Sequence, residues 1–288
     1  MDERRNNFIE SDNDAYVRAV HDQGLAFDLG TMSRRRMLAA LGGVGALALL
    51  GGQTLTSQKA TAACLAEIES ETAGPFPADG SNGVEVRTLA GIVRRDIRPS
   101  FGTSTTVAQG IPLTFSLKIQ DLSCAALAGA AVYVWHCDRE GRYSLYSAGV
   151  TAENYLRGIG VTDSTGTATF TSIFPACYSG RWPHIHFEVY SSLAEATSGS
   201  GPIRKTSQLA FPEDVSKAVY ATSGYSQSVT NLSRITLASD MVFGDDLAAR
   251  EMATVTGNVS TGYHATLTAT VNPAATGGGP RAGAVPAR

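Results

Sequence analysis

Cysteine and tryptophan are scarce, at four and two in 288 residues. No two cysteines stand in a Cys-x-x-Cys pair, which argues against a zinc site built from thiolates alone. Charge is thin as well, at 17%. With a net charge of -3 and no basic stripe or block, nucleic acid is not the expected partner. The apolar run from Met37 to Leu50 is interrupted by glycines and falls short of the ~20 residues that cross a bilayer. There is no internal repeat.

What is present describes an exported globular chain. Apolar residues make up 43%, and Gly, Thr, Ser and Ala are abundant. Residues 1–31 are polar and carry both signs of charge without periodicity, the pattern of a disordered leader. Ser33-Arg34-Arg35-Arg36-Met37-Leu38 then opens the short apolar run, and Ala60-Thr61-Ala62 offers small residues for cleavage. Paired arginines before a weakly hydrophobic, glycine-rich run resemble a twin-arginine export signal, with Met37 where that motif usually has Phe. Ala62-Ala63-Cys64 admits lipoprotein anchoring as a lesser alternative, with Thr61 where such sites prefer Leu. Export makes disulfides among Cys64, Cys124, Cys137 and Cys177 plausible, and the sequence does not choose their pairing.

Beyond residue 63 the pattern is all-β. Leu113, Phe115, Leu117 and Ile119 alternate with polar residues, as a half-buried strand does. Further strands are expected over Ala131–His136, Thr167–Phe174, His184–Tyr190 and Tyr263–Val271, separated by turn signals such as Asp163-Ser164-Thr165-Gly166. A short helix should follow Phe211, with Pro212 in its first turn and Glu213 and Asp214 at its positive end. The expected organisation is a leader and signal over 1–62, a mixed β-sandwich over 63–272, and a flexible Gly/Pro/Ala tail over 273–288.

The chemistry concentrates in Tyr178 to Tyr190. Alternate residues of a strand share a face, so His184 and His186 point together while Ile185, Phe187 and Val189 point into a core. Two such imidazoles can converge on one metal ion. Tyr178, just upstream, and Tyr143, after the turn at Asp138–Gly141, could add phenols. A highly charged cation favours the bound phenolate despite a free pKa of ~10. Two phenolates and two imidazoles suit Fe(III), and such a centre could take both protons from a chelating diol.

Gly141-Arg142-Tyr143 followed by Tyr178-Ser179-Gly180-Arg181-Trp182-Pro183-His184-Ile185-His186-Phe187 resembles the intradiol ring-cleavage dioxygenases, the catechol and protocatechuate 3,4-dioxygenase superfamily. The likeness runs in order from Glu71-Thr72-Ala73-Gly74-Pro75-Phe76, through Gly91–Ile97 and Trp135–Asp138, to Gln208-Leu209-Ala210-Phe211. It implies a β-sandwich, and Fe(III) held by Tyr143, Tyr178, His184 and His186. It further implies that catechol-type diols and O2 are the substrates and that cis,cis-muconate-type diacids are the products. Tyr178 would be the axial ligand that the substrate displaces. Arg181 matches an arginine that steadies charge developing on the ring, and Gln208 a glutamine near the oxygen site. A loop of only five residues between Tyr178 and His184, and the lack of a long helical dimerisation segment, set the chain nearer the exported, single-chain branch.

Plainer readings exist for each residue. A lone His-x-His is more often structural, Tyr146 or Tyr155 could compete with Tyr143, and Arg181 could simply pair with Glu188. His136 falls on no ligand position and reads as structural. For the whole chain the alternatives are an exported β-sandwich binding module without catalysis, a zinc hydrolase, and an Fe(II) extradiol enzyme using Glu188 as its carboxylate.

Overall fold

The computed structural model describes residues 64–277; the expected leader and export signal, and the tail from residue 278, lie outside them. Among the described residues eight strands occur: β1 (Pro112–Gln120), β2 (Ala131–Trp135), β3 (Arg157–Val161), β4 (Thr167–Ile173), β5 (His184–Tyr190), β6 (Lys205–Ala210), β7 (Thr254–Asn258) and β8 (Gly262–Thr270). They form two four-stranded sheets, ordered β4-β1-β8-β7 and β3-β2-β5-β6. The β1–β8 pair is parallel and the other strand pairs are antiparallel, so the chain is the mixed all-β sandwich expected.

The core between the sheets follows from strand alternation. Leu113, Phe115, Leu117 and Ile119 of β1 meet Val132 and Val134 of β2 and Ile185, Phe187 and Val189 of β5 in one buried cluster. Phe115 and Phe170 are cross-strand partners with stacked rings 5.1 Å apart. Burying each such side chain contributes about 1.5–3 kcal/mol.

The second sheet is buried on its other face too. Residues 71–92 cross that face, and Ala73, Phe76, Ala78, Val86 and Ile92 pack on Tyr133, Trp135 and Tyr190. This arm and the residues leading into it are tied to both sheets. Ile68 N–H donates to the Thr270 carbonyl and Glu71 N–H to the Thr206 carbonyl, each at 2.9 Å. Arg87 donates to the Tyr190 hydroxyl and to the Asp79 carbonyl. Thus β5 is buried along its whole length, and its polar face lies inside the protein.

Three strands and two helices go beyond the sequence reading. β3 is Arg-Gly-Ile-Gly-Val, whose glycines weaken the strand signal. β6 is mostly polar yet buried, because the arm covers it. β7 is an exposed edge without alternating burial. The expected helix is present as Glu213–Tyr220, with Pro212 as its N-cap. It is flanked by α1 (Leu193–Thr197) and α3 (Ser226–Leu232), so we label it α2; a 3-10 turn follows at Leu237–Ser239. Cys64 and Cys124 form a disulfide, which removes the four-cysteine zinc reading, and Cys137 and Cys177 are buried thiols. Among the described residues, no helix is long and apolar enough to cross a membrane.

Candidate active site

Register puts four side chains in one row across the covered face. Trp135 pairs with Arg157 on one side and His186 on the other, and His186 pairs in turn with Gln208. The Trp135 ring lies flat on His186, centroids 4.9 Å apart and 3° from parallel, which fixes the imidazole plane. One step up β5, His184 donates through Nδ1 to the Trp182 carbonyl at 2.6 Å. A carbonyl can only accept, so Nδ1 carries a proton, and the tautomer this selects is the one whose Nε2 presents a lone pair.

The two tyrosines arrive on turns. Asp138 organises the first: its Oδ1 accepts from the Glu140 and Arg142 backbones at 3.0 and 2.9 Å, and its Oδ2 accepts from the Tyr155 hydroxyl at 2.9 Å. Gly141 sits at φ +84, and a Cβ there would stand 3.2 Å from Cβ of Tyr178. Glycine therefore lets this turn pass the second tyrosine closely. Tyr143 is clamped by a ring stack with Phe76 at 4.7 Å and by its N–H donating to Ser147 at 2.9 Å. The second turn closes where Arg181 N–H donates to the Tyr178 carbonyl at 3.3 Å.

Together these elements bring four donor atoms to one point. The Tyr143 hydroxyl is 3.5 Å from both the Tyr178 hydroxyl and His184 Nε2. The Tyr178 hydroxyl is 3.3 Å from His184 Nε2, which is 3.0 Å from His186 Nε2. Ligands bound ~2.0–2.2 Å from a metal and ~90–110° apart stand about 3–3.5 Å from one another, so this spacing fits a single ion. Nδ1 of His186 is buried and faces the Thr72 backbone without a well-formed hydrogen bond, while Nε2 turns to the other donors. Among the described residues, no three His, Cys, Asp or Glu side chains could hold an ion together, so a metal centre here must recruit the phenols. That disfavours the carboxylate triad. Glu188 instead accepts from the Tyr190 hydroxyl at 2.5 Å.

The electrostatics point the same way. Burial, then the neighbouring Tyr178, pushes the Tyr143 phenol well above its ordinary range. Burial pushes Tyr178 up to about 12, with Arg181 pulling it back. Burial, Arg181 and Arg157 push His186 well below the usual imidazole range, so the ring is a neutral donor. Proteins do not bury phenolates unaided; a multivalent cation is what would ionise this pair.

Gln208 and Arg181 both reach the site. Arg181 donates through Nη2 to Gln208 Oε1 at 2.6 Å, and Gln208 Nε2 donates to the Thr72 carbonyl at 2.9 Å. Arg181 does not pair with Glu188; its partner is Asp240, with Nε 3.0 Å from Oδ2. Tyr146 and Tyr155 are engaged elsewhere, donating to Asn82 and Asp138. His136 is structural as read, with Nε2 2.7 Å from the Ser172 hydroxyl. Two residues escaped sequence reading. Asp240 lies 59 positions from Arg181 with no motif to announce it. Arg157 is buried without a carboxylate partner among the described residues, donating to Ser144, Phe76 and Pro77. Its place inside a glycine-rich strand was the available hint.

Residues 100–220 match the family model described as Dioxygenase. A chlorocatechol 1,2-dioxygenase from Rhodococcus opacus is 33% identical over 69 residues, covering 24% of this chain and 27% of that protein. The chain thus spans about a quarter of that curated relative's length. An intradiol ring-cleavage dioxygenase from Tetranychus urticae superposes with a TM-score of 0.58 at 24% identity, covering 74% of this chain and 97% of the other. That second likeness is one of fold.

Proposed function

We propose that this chain is an intradiol ring-cleavage dioxygenase, an Fe(III) enzyme opening catechol-type rings with O2 to give cis,cis-muconate-type diacids; the match to the dioxygenase family model over residues 100–220 supports the reading. The observation that carries the proposal is the meeting of two phenol oxygens and two imidazole nitrogens at 3.0–3.5 Å. We assign Tyr143, Tyr178, His184 and His186 as the ligands. Iron bound there would draw electron density from both oxygens of a diol, making the ring reactive toward O2.

The remaining steps fall to the protein. Tyr178, at 7% exposure the least enclosed of the four, is the ligand best placed to yield. Its phenol oxygen would accept one diol proton, helped by the upward push of burial on its pKa. Arg181 supplies fixed positive charge for the anion that develops on the ring, already oriented before reaction. Phe76 and the arm that carries it wall the site from water. The set of donors weighs against an inert binding module, which would have no use for it.

The partners we propose are a small aromatic diol and O2, with no nucleic acid. We propose export through a twin-arginine signal, with lipid anchoring at Cys64 the lesser alternative. The Cys64–Cys124 bridge supports an oxidising destination, and it favours the unanchored form, since an anchored Cys64 has no free thiol to pair. Product analysis under 18O2 tests the activity: a diacid carrying both labelled atoms is expected, and a hydroxymuconic semialdehyde would contradict it.

A further inference from the structure

Arg181 is a buried cation held by one acid that comes from a distant loop. Asp240 follows the 3-10 turn Leu237–Ser239, and the two side chains are 4% and 0% exposed. Its carboxylate is fully used. Oδ2 accepts from Arg181 Nε at 3.0 Å and from Trp182 N–H at 2.6 Å, while Oδ1 accepts from Val242 and Phe243 N–H at 2.8 and 3.0 Å.

Two of the three guanidinium nitrogens are thereby committed, Nε to Asp240 and Nη2 to Gln208. Nη1 has no hydrogen-bond partner among the described residues. The same carboxylate seats Phe243, whose ring lies 5.7 Å from the Arg181 guanidinium carbon and 6.4 Å from the His184 ring. One acid thus places both the charged and the apolar neighbour of the donor cluster. Without it, the guanidinium would be an unpaired buried charge beside two tyrosine oxygens, free to turn toward them.

Resting on the activity proposed above, we infer that Asp240 is a positioning residue for ring cleavage: it locks Arg181 so that Nη1 stays directed to the substrate, and it seats Phe243 against the same space. It acts through Arg181 and touches neither substrate nor metal.

A double-mutant cycle tests this with Asp240→Asn, Arg181→Gln and the pair, on the full chain loaded with Fe(III) and assayed with catechol. Asp240→Asn should keep iron stoichiometry and the visible iron–phenolate band while kcat falls at least tenfold. The pair should be no more than about threefold below the worse single variant, because both changes remove one arrangement. A second readout needs no turnover. Arg181→Met leaves the buried Asp240 carboxylate without its counter-ion, held by backbone N–H groups alone, so the melting temperature should drop, and adding Asp240→Asn should restore part of the loss. Losses that multiply in kcat, with no thermal rescue, overturn the assignment. A wild-type protein that turns over no catechol overturns the activity reading instead, and is told apart because the thermal rescue survives it.

Discussion

Single residues decide whether the four donors can meet. Gly141 is a sharp case, since at its φ of +84 a side chain is strained, and a Cβ 3.2 Å from that of Tyr178 would make Tyr178 give way by a few tenths of an ångström. Alanine there should lower stability by about 1–2 kcal/mol through backbone conformation alone, and should also push Tyr178 off its position. Gly149 offers the control, with φ +78 and nothing within 4 Å. Gly141→Ala should weaken Fe(III) binding measurably by titration while Gly149→Ala does not; equal binding in both would separate Gly141 from the site. Gly74 makes a similar approach on the opposite side, at φ +67 and 3.4 Å from His186. The two histidines could be read from sequence because period-two alternation puts His184 and His186 on one face of β5. The residues that orient Arg181 could not, because Asp240 meets it only through tertiary folding.

At the scale of elements, alternation made the core strands legible. β1, β4 and β8 each show buried residues at every second position, which is the pattern the sequence carries. β2 and β5 are buried on both faces, so polar residues there mark a function instead of a solvent side. That is why His184 and His186 stood out. β6 hid for the converse reason: Lys205, Thr206, Ser207 and Gln208 are polar but buried, since Lys205 reaches the Ile68 carbonyl at 3.0 Å and the arm lies over the strand. No local pattern encodes a cover that arrives from 137 residues away. The helices around Leu193–Leu232 are short, and packing more than propensity selects them.

Across the whole molecule, the sandwich supplies rigidity and the arm supplies enclosure. Glu251 links the two, accepting from the Glu69 backbone at 3.2 Å and from the Arg250 backbone at 3.1 Å. Burial, with Asp246 adding to it, pushes this carboxyl up to about 7. The folded state then holds the proton more tightly than the unfolded chain, so this stabilisation is complete below the ordinary carboxylate range and is lost as pH rises through about 7. Glu251→Gln, which stays neutral, should therefore gain melting temperature relative to wild type between pH 5 and pH 8. A difference that does not change with pH would refute the assignment.

The most direct test of the account is the visible spectrum of the purified protein titrated with Fe(III). Wild type should bind one equivalent and turn red-brown, from charge transfer between phenolate and ferric ion, and Tyr143→Phe should lose much of that band together with turnover. A colourless iron-loaded protein, or a Tyr143→Phe variant with an unchanged spectrum and activity, would contradict it.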